Sequence, residues 1–147
     1  MGASYWDYYV PYQPDLNAAL HELRHRVFVE GDYWWAVKQE FGPASAYPDR
    51  PTEMDALFED EAVQESGTHS ILDMFSVLAD GEPPDYGTVQ PVSAAEALAV
   101  AGTEVLTRDH VAAIDRLADK RSFGRCAILH DEHGEPSEIY FWGFSGD

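Results

Sequence analysis

The sequence predicts an α+β fold, a single α+β domain over residues 1–147 in which about four helices pack on a small, mainly antiparallel sheet. Strand-like runs rich in aromatic residues occur near the start and near the end of the chain. Between them, several segments repeat apolar residues at helical spacing and carry capping residues. The 147 residues, 45% of them apolar, suffice for one core and are too few for two domains.

The first elements are a strand and a helix. Residues 4–12 (SYWDYYVPY) favour a strand that stops before Pro14, and Asp15 is placed to cap a helix. Gly31 supplies the C-terminal stop. The inner face of this helix is predicted to consist of Leu16, Leu20, Leu23 and Val27.

The middle of the chain is less regular. Residues 32–51 combine aromatic residues with three prolines and a glycine, which indicates an anchored segment that passes into a loop. Thr52 and Asp55 approximate a capping box for a second helix that ends near residues 66–67. The following run ILDMFSVLA fits either a short helix capped by Ser70 and Asp73 or a buried strand, because short apolar runs do not distinguish the two.

The last part predicts two helices and a hairpin. Residues 88–92 fit a short strand, after which Ser93 and Glu96 form a capping box for a helix that ends at Gly102. Thr107 begins another helix. Its inner face is predicted to contain Val111, Ile114, Leu117 and Ala118. Residues 123–130 and 137–144 flank DEHGEP, whose Asp, Gly and Pro are typical of a hairpin loop, and this predicts a C-terminal β-hairpin.

The charge restricts the classes of partner. Acidic residues outnumber basic ones 27 to 9, which gives a formal net charge of −18. Such a field repels nucleic acid and anionic membranes and favours a basic protein surface or cations. We therefore expect no nucleic-acid partner and no membrane partner. GC-rich coding or adaptation to a salty cytoplasm would produce the same excess without any partner.

Localisation is predicted from what the sequence lacks. No run approaches the roughly 18 apolar residues of a membrane span, and MGASYWDYY has neither the basic start nor the apolar middle of a signal peptide. The single Cys126 excludes an internal disulfide and is expected to be a small core residue. These features predict a cytoplasmic protein.

The segment HELRH, residues 21–25, resembles the HExxH motif of zinc peptidases. In that family two His one helical turn apart bind the metal, and the Glu between them acts as general base. The resemblance implies His21 and His25 as zinc ligands and Glu22 as the catalytic residue of a zinc-dependent hydrolase. It covers five positions of 147.

Context argues against this metal site. Arg24 and Arg26 would place positive charge beside the cation, and at about 100° per residue His21 and His25 point away from the leucine stripe. Glu22 also has the spacing for a surface ion pair with Arg26. A third ligand would have to come from one of the many downstream carboxylates, such as Glu30 or Glu40, or from His69, and none stands at a recognised spacing. The sequence therefore predicts no catalytic residue, no metal ligand and no cofactor, with zinc at HELRH as the alternative.

Two other constellations carry the right residue types for chemistry. His69, Ser70 and Asp73 resemble a nucleophilic triad in composition, but three members within five positions do not normally align, and capping explains them better. His130 and His133 bracket two acidic residues and could contribute to a metal site, but a solvated hairpin tip is the preferred explanation.

The acidic segment EMDALFEDE supplies the leading functional hypothesis. It places five carboxylates on a predicted amphipathic helix, where they would face a basic partner. These candidate partner-binding residues are Glu53, Asp55, Glu59, Asp60 and Glu61. The hypothesis is a non-catalytic acidic interaction protein, inhibitor or immunity-like, that binds a basic protein. The alternatives are the zinc-dependent hydrolase and a small-ligand-binding domain lined by Tyr and Trp.

Overall fold

The computed structural model describes residues 4–37 and 40–146 and shows a mixed α/β chain in this part of the sequence. The seven strands are β1 (Ser4–Pro11), β2 (Trp34–Val37), β3 (Glu40–Pro43), β4 (Ser76–Val77), β5 (Thr88–Pro91), β6 (Phe123–His130) and β7 (Pro136–Ser145). The five α-helices are α1 (Leu16–Glu30), α2 (Met54–Glu59), α3 (Glu61–Ser66), α4 (Ala94–Ala101) and α5 (Val111–Ile114). Five strands form one sheet in the order β1-β7-β6-β5-β4, and β2 pairs with β3 in a separate small sheet.

The large sheet is mixed, which corrects the prediction of a mainly antiparallel sheet. β1 and β6 both run antiparallel to β7, whereas β6, β5 and β4 run parallel to one another. Residues 92–122, which carry α4 and α5, form the long crossover that a parallel β5–β6 pair requires. The predicted C-terminal hairpin of β6 and β7 is confirmed.

Both faces of the sheet are buried. On one face Cys126, Ile139 and Phe141 pack in the same core as the inner side of α1. On the other face Tyr140 and Trp142 pack with residues of α4 and α5. Successive side chains of a strand point to opposite faces, so both sets of positions in the hairpin are apolar. This explains why the β6 and β7 sequences read as nearly continuous apolar runs.

The caps of α1 and α4 form as predicted. Asp15 Oδ1 accepts a hydrogen bond from Ala18 N at 3.0 Å, and Gly31 ends α1 in the left-handed conformation with φ +69°. A Cβ at Gly31 would lie 2.9 Å from the backbone of Ser45, so the position also requires glycine for space. Ser93 and Glu96 form the complete capping box of α4.

The segment over residues 52–66 departs from the prediction of one helix. α2 begins at Met54 with Glu53 as N-cap and without a side-chain cap bond, so the Thr52 capping box was wrong. The helix stops at Asp60, which has extended backbone angles (φ −66°, ψ 126°). Asp60 Oδ1 then caps α3 by accepting from Ala62 N at 2.9 Å. A residue with strong capping preference thus divides an otherwise helical pattern.

Two further segments were only partly predicted. The irregular region after α1 contains the β2–β3 hairpin, which the sequence did not indicate. The run ILDMFSVLA, predicted as a short helix or a buried strand, contains a short piece of each: a 3₁₀ turn over Ile71–Asp73, followed by β4. Ser70 caps this turn by accepting from Leu72 N at 3.1 Å, whereas Asp73 caps nothing in it.

A buried ion pair joins α4 to the sheet. Arg125 of β6 is 7% exposed, and Glu96 of α4 accepts from its Nη1 at 3.1 Å and also from its Nη2. Burial alone would raise the pKa of Glu96, but the hydrogen bonds and charge of Arg125, together with Ser93, outweigh it and lower the pKa below its ordinary value of 4.5. Glu96 therefore stabilises the fold as a carboxylate.

We expect Glu96→Gln to lower the free energy of unfolding by about 2 kcal/mol at neutral pH, because it leaves the buried Arg125 without a counter-charge. The folded-state pKa of Glu96 is depressed, so its contribution is present above the unfolded value and is lost as pH falls through the folded value. Chemical denaturation at neutral pH and in acid would show the two proteins converging below about pH 4.5. Glu104→Gln, at an exposed site, is the control, and an equal loss there would contradict the assignment.

Candidate functional site

The HELRH segment lies on the outer side of α1. His21, Glu22 and His25 are exposed, whereas Leu20 and Leu23 are buried. Glu22 Oε2 accepts a hydrogen bond from Gln13 Nε2 at 2.8 Å, in place of the ion pair with Arg26 that the spacing favoured. The three motif residues therefore stand at the surface, and Glu22 also lines a pocket between α1 and the end of β1, together with Val10 and Arg26.

Among the described side chains, HELRH has no third metal ligand beside His21 and His25. Glu30 is exposed on the same helix, His69 lies in a separate loop where its Nδ1 contacts Ser4 Oγ, and the side chain of Glu40 lies outside the described residues. Over residues 4–37 and 40–146, no three His, Cys, Asp or Glu side chains converge as a metal site. His130 Nδ1 lies 2.9 Å from the carbonyl of Leu106, and His133 is exposed at the hairpin tip.

The triad-like residues His69, Ser70 and Asp73 have structural contacts of another kind. Asp73 accepts hydrogen bonds from four donors, namely Thr68 N (2.8 Å), Thr68 Oγ1 (2.8 Å), His69 N (3.0 Å) and Ser145 Oγ (2.7 Å). Ser70 Oγ lies 2.8 Å from Thr68 Oγ1 and caps the 3₁₀ turn. These carboxylate and hydroxyl oxygens tie the loop to β7 and do not form a Ser–His–Asp relay.

Arg24, the central basic residue of HELRH, is buried. It is 8% exposed, and its guanidinium carbon lies 5.1 Å from the ring centre of Phe75 and 5.7 Å from that of Phe58. Its Nη2 donates to the carbonyl of Leu72 at 3.2 Å. Burial lowers the pKa of Arg24, and the nearby Asp73 opposes that shift. The guanidinium thus holds two aromatic rings from behind by cation–π contact.

An open pocket lies in front of these rings. It has a volume of about 250 Å³, and its walls include Phe58, Val63, Glu65, Asp73 and Phe75. Phe75 is 50% exposed and meets Phe58 edge to face at 5.3 Å. An aromatic ring that is fixed on one side and open on the other offers a binding anchor for an apolar group.

The predicted acidic residues lie on the α2–α3 segment, which contributes Phe58, Val63 and Glu65 to the wall of this pocket. Glu53, Asp55, Glu59 and Glu61 are exposed, and Glu65, which lines the pocket, is exposed as well. Asp60 differs, because its Oδ2 accepts from Trp35 Nε1 at 3.3 Å while its Oδ1 caps α3. Four of the five predicted carboxylates are therefore open to a partner, and Asp60 holds the two helices in place.

The sequence reinforces the negative character of this region. Residues 51–107 contain 12 acidic residues and no Lys or Arg. Along the chain, the Lys or Arg residues nearest to this stretch are therefore Arg50, just before it, and Arg108, just after it. We define Glu53, Asp55, Glu59, Glu61 and Glu65, with Phe58 and Phe75, as the acidic–aromatic surface.

Sequence reasoning missed Arg24 and Phe75. Arg24 lies four residues after Leu20 and three before Val27, so the helical spacing already placed it on the apolar face. Its charge concealed that signal. Phe75 stands in the run ILDMFSVLA, for which a short helix or a buried strand was predicted, and is exposed in a run that forms a turn and a two-residue strand at the sheet edge.

A second pocket does not fit the idea of a small-ligand site lined by Tyr and Trp. It lies beside the start of α4, has a volume of about 210 Å³, and has mainly aliphatic walls that include Leu16, Val92 and Leu106. Cys126 also lines it, and burial raises the pKa of that thiol to about 12. The thiol therefore stays protonated at neutral pH and is a weak nucleophile.

Comparison with known proteins adds no functional assignment. No family model matches the chain, and neither a curated protein nor a solved structure shows significant similarity to it. In the described part of the chain, no helix combines the length and the apolarity needed to cross a bilayer.

The exposed geometry of HELRH leads to a prediction about zinc. Protein purified without a histidine tag is expected to carry substoichiometric zinc, and added zinc should stabilise the parent and His25→Ala equally, because two exposed imidazoles without a third ligand bind the metal weakly. Elemental analysis and thermal melts would check this. Stoichiometric zinc that His25→Ala removes would restore the hydrolase alternative.

Proposed function

We propose that this chain is a non-catalytic acidic interaction protein, of the inhibitor or immunity type, that binds a basic protein partner through the acidic–aromatic surface. One observation carries the proposal: the exposed Glu65 lines an open aromatic pocket, and the α2–α3 segment that forms part of its wall carries four further exposed carboxylates. The net charge of −18 is consistent with it. A reducing, cytoplasmic location, in which the single Cys126 needs no disulfide partner, belongs to the same proposal.

Electrostatic attraction would determine how fast the partner associates and which partner binds. A cluster of like charges attracts a basic surface over a distance of about 10 Å at 0.1 M salt and repels acidic competitors. Nucleic acid would be excluded by the same field. Such attraction alone gives modest affinity, because exposed ion pairs contribute only about 0–1 kcal/mol each.

The aromatic pocket would supply the remaining affinity. Interface energy concentrates in a few anchors that sit in desolvated pockets within a polar rim. Phe58 and Phe75 line such a pocket, and Glu65 at its wall, with the other exposed carboxylates of the α2–α3 segment, would form the rim. Because Arg24 already contacts both rings, these rings would lose little conformational entropy when a partner side chain enters the pocket.

Neutralising the rim provides the first test. The variant Glu53→Gln, Asp55→Asn, Glu59→Gln, Glu61→Gln removes four exposed charges and keeps Asp60, which stabilises α3. Carbodiimide cross-linking joins carboxylates to partner lysines in an extract of the source cells, and mass spectrometry then identifies both partner and site. In the parent protein, we expect cross-links at these four carboxylates at about 0.05 M salt. We expect the cross-links to be lost at about 0.5 M salt, where the screening length falls to about 4 Å.

The matched control carries Asp80→Asn, Glu104→Gln, Asp119→Asn and Glu135→Gln, four exposed acids elsewhere on the chain. Both variants lose the same charge, so only the location differs. Equal binding by both variants, or cross-links that avoid α2 and α3, would show that the partner does not use this surface.

Shortening the anchor provides the second test. Phe75→Ala is expected to weaken binding of the partner identified above by about tenfold, and this loss should persist at high salt because it comes from apolar contact. Leu98→Ala, at a residue 51% exposed on α4, is the control and should bind like the parent. Calorimetric titration at two salt concentrations measures both. A loss that disappears at high salt would contradict the anchor role.

A further inference from the structure

The two edge strands of the large sheet differ in length and in the pairing of their outer backbone groups. At one edge β4 is only two residues long, and its Val77 N donates to the side chain of Asn17 at 2.9 Å. At the other edge β1 is eight residues long and pairs only with β7. Among the described residues, no strand of the sheet lies on the outer side of β1. One edge is short and blocked, while the other is long and open.

The register identifies the groups that face outward from β1. Tyr12 N donates to the carbonyl of Ser137 at 3.1 Å, in the same register that pairs Val10 with Ile139 and Tyr8 with Phe141. Residues of an antiparallel pair alternate between bonded and non-bonded positions, so the even-numbered residues bond to β7. The backbone N–H groups of Tyr5, Asp7 and Tyr9 therefore point away from the sheet.

Side-chain contacts hold this edge in place. Tyr5 Oη donates to Asp115 Oδ1 at 2.6 Å and lies 2.9 Å from Tyr140 Oη. Tyr140 Oη donates to Asp7 Oδ2 at 3.3 Å, and the Tyr9 ring lies 4.8 Å from that of Tyr140. Asp7 itself remains exposed. The three outward amides are thus presented by a strand whose side chains are fixed on the sheet.

We propose that the outer edge of β1 binds an extended strand of a partner protein that carries a Lys or Arg beside Asp7. Main-chain hydrogen bonds to Tyr5, Asp7 and Tyr9 would supply the binding, as in other cases where a peptide adds a strand to a sheet. The Asp7 carboxylate would make the binding specific for a basic strand, because opposite charges on neighbouring strands attract and like charges repel.

Charge also argues against a second copy of this chain at the edge. An antiparallel pairing of two β1 strands that is centred on Asp7 sets the two Asp7 carboxylates opposite each other, and both chains carry a net charge of −18. Charged residues on edge strands are a known protection against self-pairing. Asp7 therefore disfavours the identical strand and favours a basic one.

This edge is separate from the acidic–aromatic surface. Leu57 of α2 and Val63 of α3 belong to the core on the α1 side of the sheet, whereas the side chains of Tyr9 and Tyr140 belong to the core on the opposite side. The inference does not rest on the proposed function, and either can fail alone.

The test uses the isotope-labelled full chain and two capped peptides of alternating Thr and Val, one with a central Lys and one with a central Glu. We expect the Lys peptide to shift the amide signals of Tyr5, Asp7 and Tyr9, to slow their exchange with solvent, and to bind about tenfold more tightly than the Glu peptide. Tyr8 and Val10, whose amides face β7, should keep their exchange rates.

Two variants separate the charge from the backbone. Asp7→Asn should bring the two peptides within about twofold of each other, and Tyr9→Pro should weaken both, since proline lacks the outward N–H. Unshifted signals at Tyr5, Asp7 and Tyr9, or equal binding of both peptides by the parent, would overturn the proposal. Protection of the same amides in the parent alone as its concentration rises would also overturn it, because the occupant would then be a second copy.

Discussion

Burial of both faces of the β6–β7 hairpin is the constraint on which the rest of the structure depends. Cys126 and Phe141 face α1, while Ala127 and Trp142 face α4 and α5. A sheet with two apolar faces needs a cover on each side, which explains why helices precede and interrupt the strands. The packing around the hairpin is also tight at Gly143, where a Cβ would lie 2.9 Å from both the carbonyl oxygen of Phe123 and the ring of Trp6. β1 and β5 add to the hairpin on its two sides, so every other strand of the sheet takes its position from it.

Local signals predicted what depends on local chemistry. Asp15, Gly31, Ser93 and Glu96 cap their helices as expected, because a cap is set by neighbouring residues. The parallel pairing of β5 and β6 was beyond reach, since it depends on how a crossover of some thirty residues returns to the sheet. The acidic face was predicted residue by residue, but Asp60 showed that one of five carboxylates can serve the fold instead.

The acidic residues of this chain divide into those that hold the structure and those that do not. Asp73, Asp60 and Glu96 each accept several hydrogen bonds and connect separate elements. Carboxylates that accept such bonds are stabilised in their charged form, so their charge costs the fold little. Within residues 4–37 and 40–146, no salt bridge joins the exposed carboxylates of α2 and α3 to a basic side chain, and their mutual repulsion opposes compaction. A basic partner would relieve that repulsion, which is why location matters more than total charge.

Arg24 connects the most suggestive motif in the sequence to the surface that the structure presents. In HELRH the side chains of His21 and His25 are exposed, whereas the guanidinium of Arg24 is buried against the rings of Phe58 and Phe75. Burial of a guanidinium destabilises the fold unless its surroundings compensate. Here the compensation is partial: two rings, the carbonyl of Leu72 and the nearby Asp73 favour the charge, while Arg24 Nε has no hydrogen-bond partner among the described residues. The same contacts orient the rings that form the pocket wall. Arg24 of HELRH thus contacts the two aromatic rings of the pocket wall, while His21 and His25 stay exposed on the outer side of the amphipathic helix α1.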